Sequence, residues 1–551
     1  MSVEGARPRS RLFITKSIDQ IQREANRGEL KRTLGPWNLV SLGIGAIIGA
    51  GIFVITGTAA ANHAGPAIML SFVVAGFACA FAGLCYAELA STMPVSGSAY
   101  TYAYASLGEV FAWTMGWLLV LEYGVAAATV AVGWAGYVVS FLGDFGVFFP
   151  QIDVNGVMKP QWATPLVAYV ADPVTGRNVL EFSGTINLLA ALGILAVTAL
   201  LTIGVSESAN VNNVIVVIKV FVLLAFIAVG VLYINPANWQ PFIPPQGETW
   251  DEYGVGGIFR AAAIVFFAYV GFEAVSTAAA EAKNPQKDMP FGILGALVVC
   301  TLIYMAVAAV LTGVVPFNQL GVPDPIAVAV DQMNPTWALI PWGLTESGTL
   351  NLFSLMIKVG AITGLSSVML VLAYGQTRIF YTMSRDGLLP AALSRVHQRF
   401  RTPYVGTLML GLFIAVGAAF LPINILGDLV SLGTALAFSI VCFSVLRLRI
   451  TRPDLHRPFK APGGLAVPVL GILSCLMLAA FNFEPMIAAA ARDEPLPLII
   501  LGVYVVIGAI IYLAYGLRNS KLARGEQVDD DPALSTPDQA LAGNVDDVKE
   551  R

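Results

Sequence analysis

The feature that most constrains this chain is a long apolar run over residues 40–62. It carries Gly43, Gly45, Gly49 and Gly51 with only small or branched residues between them. A run this apolar reads as a membrane-spanning helix, because roughly 20 such residues cross the hydrocarbon core. Yet Gly49-Ala50-Gly51 places the most permissive backbone near mid-depth. Two readings are open here. A helix that opens at this point frees amides and carbonyls that lipid cannot satisfy, so they must face protein, ligand or water, and transporters build small-ligand sites from such discontinuous helices. Alternatively, the glycines serve close helix packing.

Composition places the run in context. Of 551 residues, 57% are hydrophobic and only 12% charged, with a mean hydropathy of +0.74, whereas soluble domains carry about 25% charge. The fold class is an all-α polytopic membrane protein. The polar head before the first run, with Lys16, Arg23, Arg27, Lys31 and Arg32, does not have the form of a cleavable signal. Cys79, Cys85, Cys300, Cys442 and Cys475 lie in apolar context without ligand spacing, and His63, His397 and His456 are scattered. These point to packing rather than a metal centre. No cofactor is expected, and neither a nucleotide-binding loop nor a catalytic dyad points to an ATP-driven pump or an enzyme.

Taken in order, residues 1–36 form a charged segment, read either as a solvated tail or as containing a short amphipathic helix near residues 18–30. Spans follow near 40–62, 67–90, 107–140, 185–203, 211–234, 257–280, 292–315, 351–377, 404–420, 427–446, 464–483 and 496–516. The third segment is long enough to include a re-entrant or interfacial start. The tail over 517–551 is acidic and expected to be disordered. Most of the 31 Lys and Arg fall on one side of a twelve-span topology, which puts both termini and the 378–403 and 447–463 connections in the cytoplasm. That topology accounts for the basic loops without a nucleic-acid partner.

The sixth span repeats the pattern of the first, with Gly271 and Glu273 in mid-span. Spans one and six lie five apart, and a repeat of five spans must be inverted across the membrane.

Read together, these stretches resemble the amino acid–polyamine–organocation transporter superfamily. The motif of the first span runs from Gly43 to Phe53; that of the sixth reads Phe267-Ala268-Tyr269-Val270-Gly271-Phe272-Glu273, followed by the connection from Glu281 to Pro290. The run from Gly375 to Pro390 and Arg457-Pro458-Phe459-Lys460 are similar to bacterial members of the cationic amino acid transporter branch. Glu273 departs from the aspartate common at its position, and Ala282 stands where an acid or bulkier aliphatic residue is frequent.

The resemblance implies an inverted five-plus-five core with broken helices 1 and 6, plus two C-terminal helices. The core would occupy 37–447, with repeats near 37–234 and 257–447, and the extra pair 464–516. It also implies an amino acid bound between the breaks. Ile48, Gly49, Ala50 and Gly51 would offer amides to the substrate carboxylate, and Phe266, Phe267, Ala268 and Tyr269 carbonyls to its ammonium, as helix ends do for anions and cations.

Lys219 lies well inside the fifth span, where an ammonium is costly and faces a cavity or a partner. It matches the fifth-helix lysine of proton-coupled members, a resemblance that implies proton coupling; a structural salt link is the alternative. Glu122 resembles a third-helix acid of the side-chain subsite, where it would pair with a basic substrate or with an internal base. Ser366 and Ser367 either line an ion-equivalent region or bond back to their own helix. Lys358 either snorkels outward or pairs with an acid.

The function expected is proton-coupled symport of basic or small neutral amino acids by alternating access, in the plasma membrane, with lipid and proton as the other partners; bacterial inner membrane is the location implied. The alternatives are an exchanger of the same fold, or an amino acid-binding sensor or channel.

Overall fold

A computed structural model describes residues 11–18, 34–93, 98–154, 156–171, 178–204, 209–277, 279, 282–342, 349–492 and 494–525. Nearly all of the expected amphipathic helix over 18–30 and the end of the acidic tail lie outside these residues. Residues 517–525, expected within that tail, instead form a short helix, Leu517–Asn519, and a turn, Leu522–Arg524. Lys521 N donates to the Asp386 carbonyl at 3.1 Å, which docks this piece on the end of span eight.

Among the described residues nine helices are long and apolar enough to cross a membrane, and Pro36–Ile47, Leu188–Ile203 and Tyr404–Phe420 are shorter apolar helices. One of the nine, Gly51–Thr92, holds the second half of span one together with span two. Gly65, at φ +58°, and Pro66 turn the chain between them within a few residues. The other spans are Glu109–Gly143, Ala209–Gly230, Pro285–Val314, Leu352–Arg385, Ile423–Thr451, Ala466–Ala490 and the helix starting at Leu496, with span six broken between Gly254 and Thr277. The chain is therefore an all-α polytopic membrane protein with interrupted helices.

Two details go beyond the sequence reading. The start of span three resolves into a separate helix, Ser98–Ser106, and a turn at Gly108 (φ +105°) before the span proper. The polar connection after it folds into two antiparallel hairpins, Gln151–Val154 with Val157–Pro160 and Val167–Ala171 with Asn178–Phe182. Hairpins meet the backbone's hydrogen-bond requirement locally where the chain leaves the helices.

Burial ranks the spans. In span six 89% of the apolar window is buried, against 22% in span twelve; span six is central and span twelve peripheral. Span seven packs along span two and the first half of span one, span eight along the second half of span three and span five, span nine on span four, and span eleven on span ten. The ends at Pro36, Thr92, Arg385 and Thr451 all lie at one end of an alternating bundle, called the basic end here.

Candidate functional site

The first span stops being helical one turn before its mid-point. Helix Pro36–Ile47 ends at Ile48, which is extended (φ −70°, ψ 103°), and a wider, π-type turn begins at Gly51. Span six breaks similarly. Helix Gly254–Val265 tightens into a 3-10 turn over Phe266–Tyr269, Val270 is extended, Gly271 takes φ +117°, and a short helix resumes at Ala274. Glycine is required there, because a side chain rarely tolerates that φ.

The two breaks touch. A Cβ on Gly51 would lie 2.2 Å from the Ala268 Cα, and one on Gly271 would lie 2.4 Å from the Ala46 carbonyl oxygen. Both readings of the glycines thus hold in one place: the helices open, and the small residues let the opened segments meet. Tyr304 of span seven joins the breaks directly. Its hydroxyl sits 2.9 Å from the Ile47 carbonyl and 3.1 Å from that of Ala268, two acceptors freed by the interruptions. Tyr137 donates to the Phe53 carbonyl at 2.6 Å in the same way. Neither tyrosine has a signature in the sequence; one Tyr in an apolar helix carries no periodic signal.

The aromatic residues of the sixth break are packed as well as positioned. Phe266 meets Phe438 edge to face at 5.6 Å, while the Tyr269 hydroxyl donates to the Phe72 carbonyl at 2.8 Å.

Lys219 is buried in mid-span five and its Nζ donates to the Gly45 carbonyl at 3.3 Å, just ahead of the first break. A Cβ on Gly364 of span eight would lie 3.0 Å from the lysine stem, so span eight carries a groove for this side chain. Lys219 thus spans helices one, five and eight. Ser366 bonds back to the Ile362 carbonyl at 2.8 Å, the local alternative, and Ser367 is buried beside it.

Glu122 lies in a π-type turn, Val120–Val125, that interrupts span three. It is fully buried, and neither carboxyl oxygen has a hydrogen-bond partner. The group beside it is an acid rather than a base: Glu273, from the sixth break. Glu273 accepts from Gly271 N at 2.8 and 3.1 Å and from the Tyr123 hydroxyl at 3.1 Å.

Charged clamps hold the bundle at both ends. Away from the basic end, Lys358 pairs with Asp144 at 2.7 Å and Asp331 at 2.9 Å, the acid-paired alternative for this lysine. At the basic end Glu88 is gripped by Arg449 and by Arg457 at 3.4 Å, and Lys16 pairs with Asp386 at 3.0 Å. Tyr100 also donates to Asp386 at 2.6 Å. An intramembrane cation that the sequence reading passed over, Arg260 in span six, pairs with Asp428 at 2.7 Å and donates to Asn482 at 2.6 Å. Among the described residues no group of His, Cys, Asp and Glu is arranged to hold a metal ion.

A family profile described as amino acid permease matches residues 34–510, which takes in both breaks and the clamp residues other than Lys16. The chain belongs to the amino acid permease family. This permease is 43% identical over 513 residues to the branched-chain amino acid permease BcaP of Bacillus subtilis (strain 168), covering 93% of this chain and 99% of that one. It is 39% identical to the methylthioribose transporter of the same organism, with the same coverage, and 36% identical to the vacuolar cationic amino acid transporter 4 of Arabidopsis thaliana over 80% of this chain and 67% of that one. These relatives are permeases and transporters, not enzymes. With its fold, they make the chain a secondary active amino acid transporter.

Proposed function

We propose that this permease is a proton-coupled amino acid symporter working by alternating access. The observation that carries the reading is the bond from Lys219 Nζ to the Gly45 carbonyl, which ties a titratable group to the helix whose opening forms the substrate site. A protonated Lys219 donates to that carbonyl and holds spans one, five and eight together; a neutral one grips it less firmly, so protonation biases one state of the core.

The substrate sits at the paired breaks. N–H groups of the Ile48–Gly51 segment meet its carboxylate, and carbonyls of Phe266–Tyr269 meet its ammonium, an arrangement that needs no buried counter-charges. The inverted five-plus-five core is supported by packing: spans two and seven, three and eight, and four and nine pair with their own equivalents, and the contact of span seven with span one has its counterpart in that of span two with span six. The excess of Lys and Arg at one end favours cytoplasmic termini. Relatives named for branched-chain and for cationic amino acids support an amino acid substrate.

The test is uptake of labelled leucine, alanine, lysine and arginine into vesicles holding purified protein, with an inward proton gradient and no sodium. Gradient-driven uptake that is lost in Lys219→Ala while substrate binding persists is the expected result. Uptake that ignores the gradient and requires amino acid inside the vesicle would replace symport by exchange.

A further inference from the structure

The packing between spans two, three, six, eight and ten contains an unusual concentration of unpartnered polar atoms. Both carboxyl oxygens of Glu122, both amide atoms of Gln376, the Thr434 hydroxyl and the Tyr86 hydroxyl are buried without a hydrogen-bond partner. They share a neighbourhood. Gln376 packs near Gly124 of the same turn as Glu122, and the Tyr86 ring meets Phe272 and Phe438 edge to face at 5.6 and 5.5 Å. Thr434 stands on the face of span ten that also carries Ser431, bonded to the Ile264 carbonyl of span six, and Phe438, packed on Phe266 and Phe272.

Within this cluster two buried carboxyls lie against each other. Glu273 has the surroundings of an anion, with two bonds from the Gly271 amide and one from Tyr123. Glu122 has no donor at all. Glu273 is the charged group beside it, and among the described residues neither carboxyl forms an ion pair with a Lys, Arg or His. Two adjacent carboxylates in a dry interior without a cation cannot both stay ionised. A neutral carboxyl, by contrast, is tolerated there and supplies the donor its neighbour can accept.

We propose that Glu122 and Glu273 together hold one proton, a protonation site separate from Lys219, and that Glu122 therefore presents an uncharged face to the substrate's side chain. The proton resides on Glu122, and Glu273 remains the acceptor. The remaining charge is held on Glu273 by the Gly271 amide and the Tyr123 hydroxyl, so Glu122 itself gives a lysine or arginine substrate no counter-charge and the subsite selects uncharged side chains. This last consequence rests on the transport reading above; the proton site itself does not.

The experiment is infrared spectroscopy of the full chain in lipid at neutral pH, reading the carbonyl stretch of protonated carboxyls. The unchanged protein is compared with Glu122→Gln and Glu273→Gln, and leucine and lysine uptake is measured on the unchanged protein in the same vesicles. The proposal expects a protonated-carboxyl band in the unchanged protein that is lost in Glu122→Gln and shifted, because its acceptor has changed, in Glu273→Gln. Absence of the band, or its unshifted survival in both variants, overturns it. If one variant fails to fold, the other carries the comparison, and the band in the unchanged protein is required in any case. Leucine uptake with little lysine uptake supports the neutral subsite, and lysine uptake equal to that of leucine overturns it. A correct band without any uptake would sink the transport reading and leave the proton site standing.

Discussion

Gly51 lies backbone to backbone on Ala268, so close that a methyl group on the glycine would fall 2.2 Å from the alanine Cα. The contact joins the two opened helices at the point where the substrate is proposed to sit. Substituting alanine at Gly51 must push the breaks apart. Overpacking of this kind costs about 1–3 kcal/mol, so Gly51→Ala should unfold at a lower temperature in detergent and lose amino acid uptake; a variant that transports normally would show that the breaks separate without cost.

Tyr304 should matter beyond its ring. Tyr304→Phe keeps the packing and leaves the Ile47 and Ala268 carbonyls without their shared donor. Buried acceptors left unpaired cost roughly 1–3 kcal/mol. Substrate affinity measured by calorimetry is expected to fall several-fold, with a smaller loss of thermal stability. Affinity equal to that of the unchanged protein would mean that water replaces the hydroxyl.

Buried Arg260 pairs with partly buried Asp428, so removing one partner strands the other. Arg260→Met should destabilise by about 3–5 kcal/mol, and Arg260→Met with Asp428→Leu should recover much of that loss. Thermal unfolding of the two variants side by side decides it, since equal losses would rule out a stranded charge as the cause.

The clamp opposite the basic end carries a pH dependence. Asp324, in the loop beside Lys358 and Asp331, is pushed up from 3.8 to about 6, chiefly by burial, with Lys358 opposing and Asp331 adding to the shift. A carboxyl raised in the folded state binds its proton more tightly there than in the unfolded chain. Its contribution to stability is therefore complete below pH 3.8 and is lost as the pH climbs through about 6. Asp324→Asn should flatten the pH dependence of the unfolding temperature in that window, and an unaltered profile would assign the dependence to another group.

Much of the fold was legible because membrane spans obey a one-dimensional rule. Hydrocarbon demands long apolar stretches, and the twelve expected segments each correspond to a helix or a broken pair of helices. The glycines at 49, 51 and 271 marked the interruptions for the same reason, as permissive backbone in a medium that punishes irregularity. The non-helical turn nevertheless falls at Ile48, a residue with no propensity to break a helix, while Gly51 serves the close approach to Ala268.

Partners could not be read in the same way. Lys219, Lys358 and Glu122 stood out as ionisable residues in apolar runs, yet their neighbours lie far away in sequence: Gly45 for the first, Asp144 and Asp331 for the second, Glu273 for the third. Glu122 is the sharpest case, because the sequence suggested a cation opposite it and the fold supplied an acid.

By itself the sequence determined the class, the apolar segments that become helices and the places where helices could open, because each follows from the transfer of local stretches of chain from water to lipid. Only the tertiary structure decided which carbonyl meets Lys219, what joins the two breaks and which charges cancel. Those outcomes depend on distances between helices hundreds of residues apart, and local composition carries no information about such distances.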